Sequence, residues 1–417
     1  MKTIVKNAKL ENETVDIMID KQYIAQISPQ IRIEADKIID ADGMAIIPSF
    51  FNGHTHAAMT LFRGFADDLP LHDWLNNHIW PLESKLTEEY VYWGTKLACL
   101  EMIKSDTTFF NDMYWFPFGT AKAVEEMGIR ALISEVYIDN DNPQLTKKAI
   151  ANIKNFFKNK RHFNNLIEFA LGPHAIYTVS ESLLKWSKKF ADNDNLLIHI
   201  HISETDKEVN DCLEKHNLRP IEYLDSIGFL GNNVILCHAI WLNDNEIRLC
   251  KKHNVKIIYN PVSNLKLSSG INFPYQKYTE SGMEVIIGTD GTASNNNLDI
   301  LESLKFAALL QKGINSTEVL PAKESFAMAT TNSAEAFGIN SGRIMEGMLA
   351  DFLLLDLNKL ELTPNHNLIA NLIYSANGSC IDTVVCNGET IMQNRKVKDE
   401  NEIIETASEM TYKLVTV

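Results

Sequence analysis

The 417-residue sequence predicts an α/β fold, a (β/α)8 barrel joined to a small β-sandwich domain formed from both chain ends. Three observations point there. Eight short apolar runs in the middle of the chain alternate with stretches of helical periodicity, as a parallel sheet covered by helices requires. Both ends consist of short β-like pieces broken by polar turns. The histidines and acids suited to chemistry cluster just after the apolar runs, where a barrel gathers its catalytic groups.

Taken in order, residues 3–5, 15–19, 23–27 and 37–40 read as strands of a small sheet, and residues 350–356 and 383–386 supply its second half. The eight barrel strands are expected at 45–51, 107–112, 130–136, 167–172, 196–201, 234–238, 255–260 and 284–289. Helical patterns fall between them, for example at 121–127, 181–190 and 298–310. The division is then 1–48 for the first part of the sandwich, 49–340 for the barrel and 341–417 for the second part. A chain of this length suits one large domain with a smaller companion.

Composition narrows the function classes. With 45% hydrophobic and 22% charged residues, the chain has the make-up of a globular protein. Its net charge of -15 opposes phosphate backbones and anionic lipid, so neither nucleic acid nor a membrane is expected as a partner. Residues 1–20 lack the apolar core of a secretory signal, and no apolar run is long enough to cross a bilayer. The six cysteines show no CxxC spacing, which fits a reducing cytoplasm. That spacing also excludes the zinc site of cytidine-type deaminases, which takes two ligands from such a motif. The sequence leaves room for a homo-oligomer and is silent on which.

The first barrel run ends in Asn52-Gly53-His54-Thr55-His56. Two histidines at i and i+2 on an extended segment point to one side and can share an ion. Alone, an HxH pair is weak evidence. The fifth run, however, ends in His199-Ile200-His201-Ile202-Ser203-Glu204, the sixth in His238 and the eighth in Gly288-Thr289-Asp290-Gly291. Imidazoles with one carboxylate suit zinc or iron. Alternation sends His199 and His201 to the same face, so periodicity leaves both open as ligands.

These motifs resemble the amidohydrolase superfamily, whose mononuclear deaminases carry HxH after the first strand, one His after the fifth and one Asp after the eighth. The likeness spans nearly the whole chain and includes residues 47–56, His201-Ile202-Ser203-Glu204-Thr205, Gly288-Thr289-Asp290-Gly291, and the stretch from Gly342-Arg343-Ile344 to Ala350-Asp351. One departure is Ser49, where the family usually has Gly. The resemblance implies one divalent ion, Zn2+ with Fe2+ as the alternative, held by His54, His56, His201 and Asp290. His201 is preferred because the family's ligand stands three residues before a glutamate, which leaves His199 as a packed or supporting histidine. Candidate strands three and four contain no lysine, whereas binuclear relatives use a carboxylated one at the barrel centre.

In such an enzyme the ion makes water nucleophilic at neutral pH. Glu204 is then expected to shuttle protons to the ring nitrogen and the leaving amine, with His238 and Asp290 handling the water. Glu204 also reads as a helix-start acid, since Ser203-Glu204-Thr205-Asp206 has that pattern. The segment 59–83 is similar to the methylthioadenosine/S-adenosylhomocysteine deaminase branch. There the residue matching Glu83 grips the ribose hydroxyls and that matching His174 contacts the substrate, alongside Glu204 and Asp290. Trp74, Trp80 and Phe62 are candidates for the pocket wall, against packing within their own loop. The expected function is hydrolytic deamination of an adenosine-type nucleoside. A deaminase or chlorohydrolase acting on guanine, a pterin or an s-triazine is the alternative, and a non-catalytic binding or scaffold barrel is the non-enzymatic alternative. Glu135, near the end of the third strand, would repel a carboxylate if it lay in the pocket. A neutral substituent such as methylthio or 5′-deoxy is therefore expected over the homocysteine adduct, since Lys147 and Lys148 need not reach.

Overall fold

Alternating buried and exposed side chains at the start of the chain pair into strands in the computed structural model, which describes residues 2–159 and 163–416. These are β1 (Lys2–Leu10), β2 (Glu13–Asp20), β3 (Tyr23–Ser28), β4 (Lys37–Asp40) and β5 (Met44–Pro48). The barrel follows as β6 (Phe50–Thr55), β7 (Thr107–Tyr114), β8 (Arg130–Tyr137), β9 (Ile167–Pro173), β10 (Ile198–Ile202), β11 (Val234–His238), β12 (Lys256–Tyr259) and β13 (Val285–Ile287). Last come β14 (Phe352–Asp356), β15 (Ile381–Cys386) and β16 (Glu389–Met392).

The terminal strands form one continuous eight-stranded sheet in the order β16-β15-β14-β5-β1-β2-β3, with β4 beside β1. Its halves meet where β5 runs antiparallel to β14, Ala45 opposite Leu355 and Ile47 opposite Leu353. Val5, Ile17, Ile46, Phe352 and Leu354 pack into its core. The predicted first barrel run, 45–51, turns out to span two strands. Pairing with β14 claims its first half, and the chain passes through buried Ser49 before β6 opens the barrel. Ser49 at the departure from the family pattern pairs its hydroxyl with Thr108 at 2.5 Å, so the added side chain is hydrogen-bonded.

Eight parallel strands, β6 to β13, surround the barrel axis in sequence order. The circle is completed between β13 and β6, where the Asp290 amide donates to the His54 carbonyl at 2.9 Å. The Asn52 side chain donates to Thr289 Oγ1 at 2.7 Å and accepts from the Thr289 amide at 3.0 Å. Gly53 permits this approach: a Cβ there would lie 2.7 Å from an Ile286 methyl. Phe51, Phe109, Leu132, Ile235, Ile258 and Ile286 pack together inside the barrel with Phe337 from the helix Thr331–Phe337. Polar side chains are thereby left to the carboxyl end.

Two helices tie the periphery to the site. Helix Glu400–Thr416 lies against helix Glu88–Ser105, and its Ala407 and Leu414 join a core containing Phe62, Trp74 and Leu82. Buried Arg130 pairs with Asp351 at 3.0 Å, linking the barrel to the terminal sheet. No helix among the described residues is long and apolar enough to cross a membrane, and the six cysteines are buried and free.

Candidate active site and metal centre

Strand alternation brings His54, His56 and His201 together at the carboxyl end, with ring centroids 4.8 to 5.3 Å apart. Asp290 completes the group, its Oδ1 lying 3.5 Å from His54 Nε2 and 3.3 Å from His56 Nε2. The other nitrogen of each ring is occupied. His56 Nδ1–H donates to the Met113 carbonyl at 2.6 Å and His201 Nδ1–H to the His174 carbonyl at 2.8 Å. His54 Nδ1 lies 2.9 Å from His199 Nε2. Among the described residues His54 Nε2 is buried with no hydrogen-bond partner.

An orphaned nitrogen facing a carboxylate and two further imidazoles is costly unless something with a positive charge sits among them. The donor set therefore fits a divalent ion with three N ligands and one O ligand. His199, by contrast, sits deeper in the barrel, its Nε2 also 2.8 Å from Cys237 Sγ. Atoms that close are hydrogen-bonded partners; ligands on a tetrahedral zinc with bonds of about 2.0–2.3 Å stand farther apart.

Electrostatics agree with an ion-ready site. Burial pushes the pKa of His54 down to about 4 and that of His201 well below the usual value, so both rings are neutral. Burial opposes the Asp290 anion, but His54, His56 and His238 outweigh it and hold its carboxyl well below the usual range. Asp290 is also fixed by Ser263 Oγ at 2.6 Å and by the Gly291 amide at 2.7 Å.

Glu204 and His238 stand beside this cluster, with His238 Nε2 3.9 Å from Glu204 Oε2. Plain alternation would send His238 to the outside, because Cys237 before it faces the barrel interior. Left-handed backbone at His238 (φ 70°) and Ala239 (φ 47°) turns it back. Such conformations are unfavourable for side-chain-bearing residues and concentrate at functional sites. His238 Nδ1–H then donates to Asn264 Oδ1 at 2.8 Å, leaving Nε2 toward Glu204. Burial raises the pKa of Glu204, tempered by His238, while Ser269 Oγ donates to its Oε1 at 3.1 Å. Glu204 is not the helix cap. Thr205 takes that role, its hydroxyl accepting from the Glu208 amide at 3.1 Å.

A cavity rises from the cluster. His56, His201, Glu204, His238 and Asp290 line it from the strand ends of the barrel, its inner end, and Trp74, Trp80 and Glu83 from the loop after the first barrel strand, with Trp115 after the second, its outer end. Short helical turns within Ala57–Phe62, Leu71–Asp73, Trp74–Ile79 and Trp80–Glu83 carry much of the outer wall. Glu83 Oε2 accepts from Trp115 Nε1–H at 3.2 Å, and burial raises its pKa. His174 also faces the cavity. Thr178 Oγ1 donates to the Ala175 carbonyl and so accepts from His174 Nδ1–H at 2.9 Å, leaving Nε2 as an acceptor. Burial drops His174 to about 3, so the ring stays neutral.

Two points that the sequence leaves open are decided by the structure. Phe62 is fully buried in the loop's own packing and does not line the cavity, because the turn of Ala57–Phe62 points it toward helices. Glu135 lies outside the cavity as well. It lines an adjoining cavity with Leu145, Lys148 and Phe156, which shares Trp115, Val136 and Ile138 with the first. The repulsion argued from Glu135 is conditional on its lying in the substrate cavity, and that condition is not met. The sequence reading also missed Ser263, Asn264 and Ser269, which follow the seventh strand's end, and Trp115, just after the second. The barrel rule pointed to those strand ends, but Ser, Asn and Trp carry no distinctive spacing.

With this geometry in hand, likeness to known proteins adds the following. The model of the amidohydrolase family matches residues 45–391. A 5-methylthioadenosine/S-adenosylhomocysteine deaminase of Archaeoglobus fulgidus is 45% identical over 99% of both chains. A 5′-deoxyadenosine deaminase of Methanosphaera stadtmanae is 47% identical over 93% of this chain and 91% of its own. Among solved structures, an adenosine deaminase from Xanthomonas campestris with bound zinc superposes with a TM-score of 0.93 at 31% identity, covering 100% of this chain and 99% of its own.

Proposed function

The chain belongs to the amidohydrolase family, and from that premise we propose that it hydrolytically deaminates an adenosine-type nucleoside to the inosine analogue and ammonia. One observation carries this reading: a single cavity is lined both by the histidine–aspartate cluster with Glu204 and His238 and by Glu83 from the loop after the first barrel strand. A purine with its ribose needs chemistry at the base and recognition of a diol, and the two ends supply one each. The 43–47% identical relatives named as deaminases of such nucleosides support it.

His54, His56, His201 and Asp290 would hold one ion, zinc with iron as the alternative, which when bound makes water nucleophilic at neutral pH. His238, anchored by Asn264, and Asp290, anchored by Ser263, orient the attacking water and take its proton. Glu204, whose pKa burial raises, donates to the ring nitrogen beside the amino-bearing carbon, takes up the proton of the hydroxyl added there, and passes it to the departing amine as the carbonyl forms. His174 Nε2 accepts a hydrogen bond from the substrate. Glu83 accepts from the ribose hydroxyls, and Trp115 fixes its carboxylate.

With Glu135 outside the cavity, methylthioadenosine, 5′-deoxyadenosine and S-adenosylhomocysteine are all admitted as substrates. The test is a panel of these nucleosides with guanine, a pterin and an s-triazine, followed by ammonia release from purified protein. The nucleosides are expected to give the highest kcat/KM; a preference for guanine, pterin or triazine overturns the reading.

A further inference from the structure

Glu208 is a buried acid that the reaction above does not use, and it touches the segment that delivers Glu204. It is the third residue of helix Asp206–His216 and 4% exposed. In an ordinary capping box an acid at this position returns to the amide of the cap residue. Here it reaches farther back. Glu208 Oε1 accepts from the Ser203 amide at 2.9 Å and Oε2 from the Glu204 amide at 2.9 Å.

The segment needs such a hold. Ser203 has left-handed backbone (φ 48°), a conformation an L-residue adopts when its surroundings enforce it. Its carbonyl accepts from the Ile240 and Trp241 amides, both at 3.1 Å, and the Ala239 amide donates to the Ile202 carbonyl at 3.0 Å. The turn after β10 is thereby locked to the turn after β11 that presents His238. Thr205 satisfies the helix start, so Glu204 is released from capping and its carboxyl faces Ser269 and His238.

We propose that Glu208 is a positioning residue for the deamination: its carboxyl group clamps the Ser203 and Glu204 amides and so aims the Glu204 side chain into the cavity. It touches neither substrate nor ion and acts through Glu204. This rests on the proton-shuttling role given to Glu204 above.

The experiment is a double-mutant cycle between Glu208→Gln and Glu204→Gln, with Glu208→Ala as a second variant, run on the panel substrate the wild type turns over best. Glu208→Gln keeps one acceptor oxygen and opposes an amide N–H with its own NH2. Its kcat is expected to fall by about tenfold, about 1.4 kcal/mol, with KM within twofold and metal content unchanged. Glu208→Ala should fall further. In the Glu204→Gln background Glu208→Gln should cost less than twofold, because the group it aims is already disabled. Hydrogen exchange at the amides of Ser203 and Glu204 should speed up while the rest of the helix keeps its protection. Equal losses in both backgrounds, an unchanged kcat or unchanged exchange would overturn the proposal, as would loss of the metal. A wild type inactive on nucleosides but active on another ring would instead overturn the substrate reading, leaving the cycle valid on that ring.

Discussion

At the inner end of the cavity, His54, His56, His201 and Asp290 project from strand ends of the barrel, and each has its second polar atom tied to protein. At the outer end, Leu71, Trp74, Trp80 and Glu83 come from one run of short helical turns that packs on its own apolar core. Strand ends cannot shift without breaking the barrel ladder, whereas a loop can be rebuilt around a different ring. On the proposed function the difference is a division of labour: the barrel would fix the chemistry and the loop would select the substrate. Inner-end changes should then lower turnover of every substrate, and outer-end changes should reorder substrates.

The largest effect is expected from Asp290→Ala or His54→Ala. Elemental analysis should find the metal lost, and activity should drop on the order of 10³-fold or more, given the several kcal/mol such an ion contributes. Full occupancy and turnover in either variant would break the comparison at its inner end. Next, Glu204→Gln should keep the ion and lose roughly 10²- to 10⁴-fold in kcat on all substrates alike. Loss confined to one substrate would move Glu204 to the selecting end.

A smaller change is expected from His199→Phe. His54 Nδ1–H would lose the one acceptor that orients it, and metal affinity, read by competition with a chelator, should weaken roughly 10- to 100-fold. Unchanged affinity would show that His199 only fills space. The smallest effect sharpens the outer end. Glu83→Ala should cost about 1–3 kcal/mol in kcat/KM on nucleosides by leaving their hydroxyls unpaired, and little on a 2′,3′-dideoxy analogue. An equal loss on both would remove Glu83 from diol recognition.

The same division explains how much could be read from the sequence. His54, His56 and Asp290 were legible as candidates because strand periodicity and position after an apolar run are one-dimensional signals, whereas the choice of His201 over His199 comes from the family resemblance, since alternation sends both to one face. His238 was found at its strand end, but the left-handed turn that brings it inward leaves no mark, since neither His238 nor Ala239 is a glycine. Glu135 stays conditional in the sequence because one residue of register moves a side chain to the other face of a strand. Phe62 stays between pocket wall and loop packing because a loop's aromatic residues are not sorted by any period. Ser263, Asn264 and Glu208 act as hydrogen-bonding partners to side chains or amides elsewhere in the chain, and such pairing exists only in three dimensions.

The join between β5 and β14 has a consequence for how the molecule is made. Met44–Pro48 leads directly into the first barrel strand, yet its antiparallel partner Phe352–Asp356 is synthesised some 300 residues later. While the chain emerges from the ribosome, β5 presents an open, apolar strand edge through the making of the whole barrel. Pairing of such high sequence separation is slow, and an edge left waiting is a template for joining another chain. Nascent chains truncated before residue 352 should therefore aggregate or recruit a chaperone, and those extended past residue 392 should not.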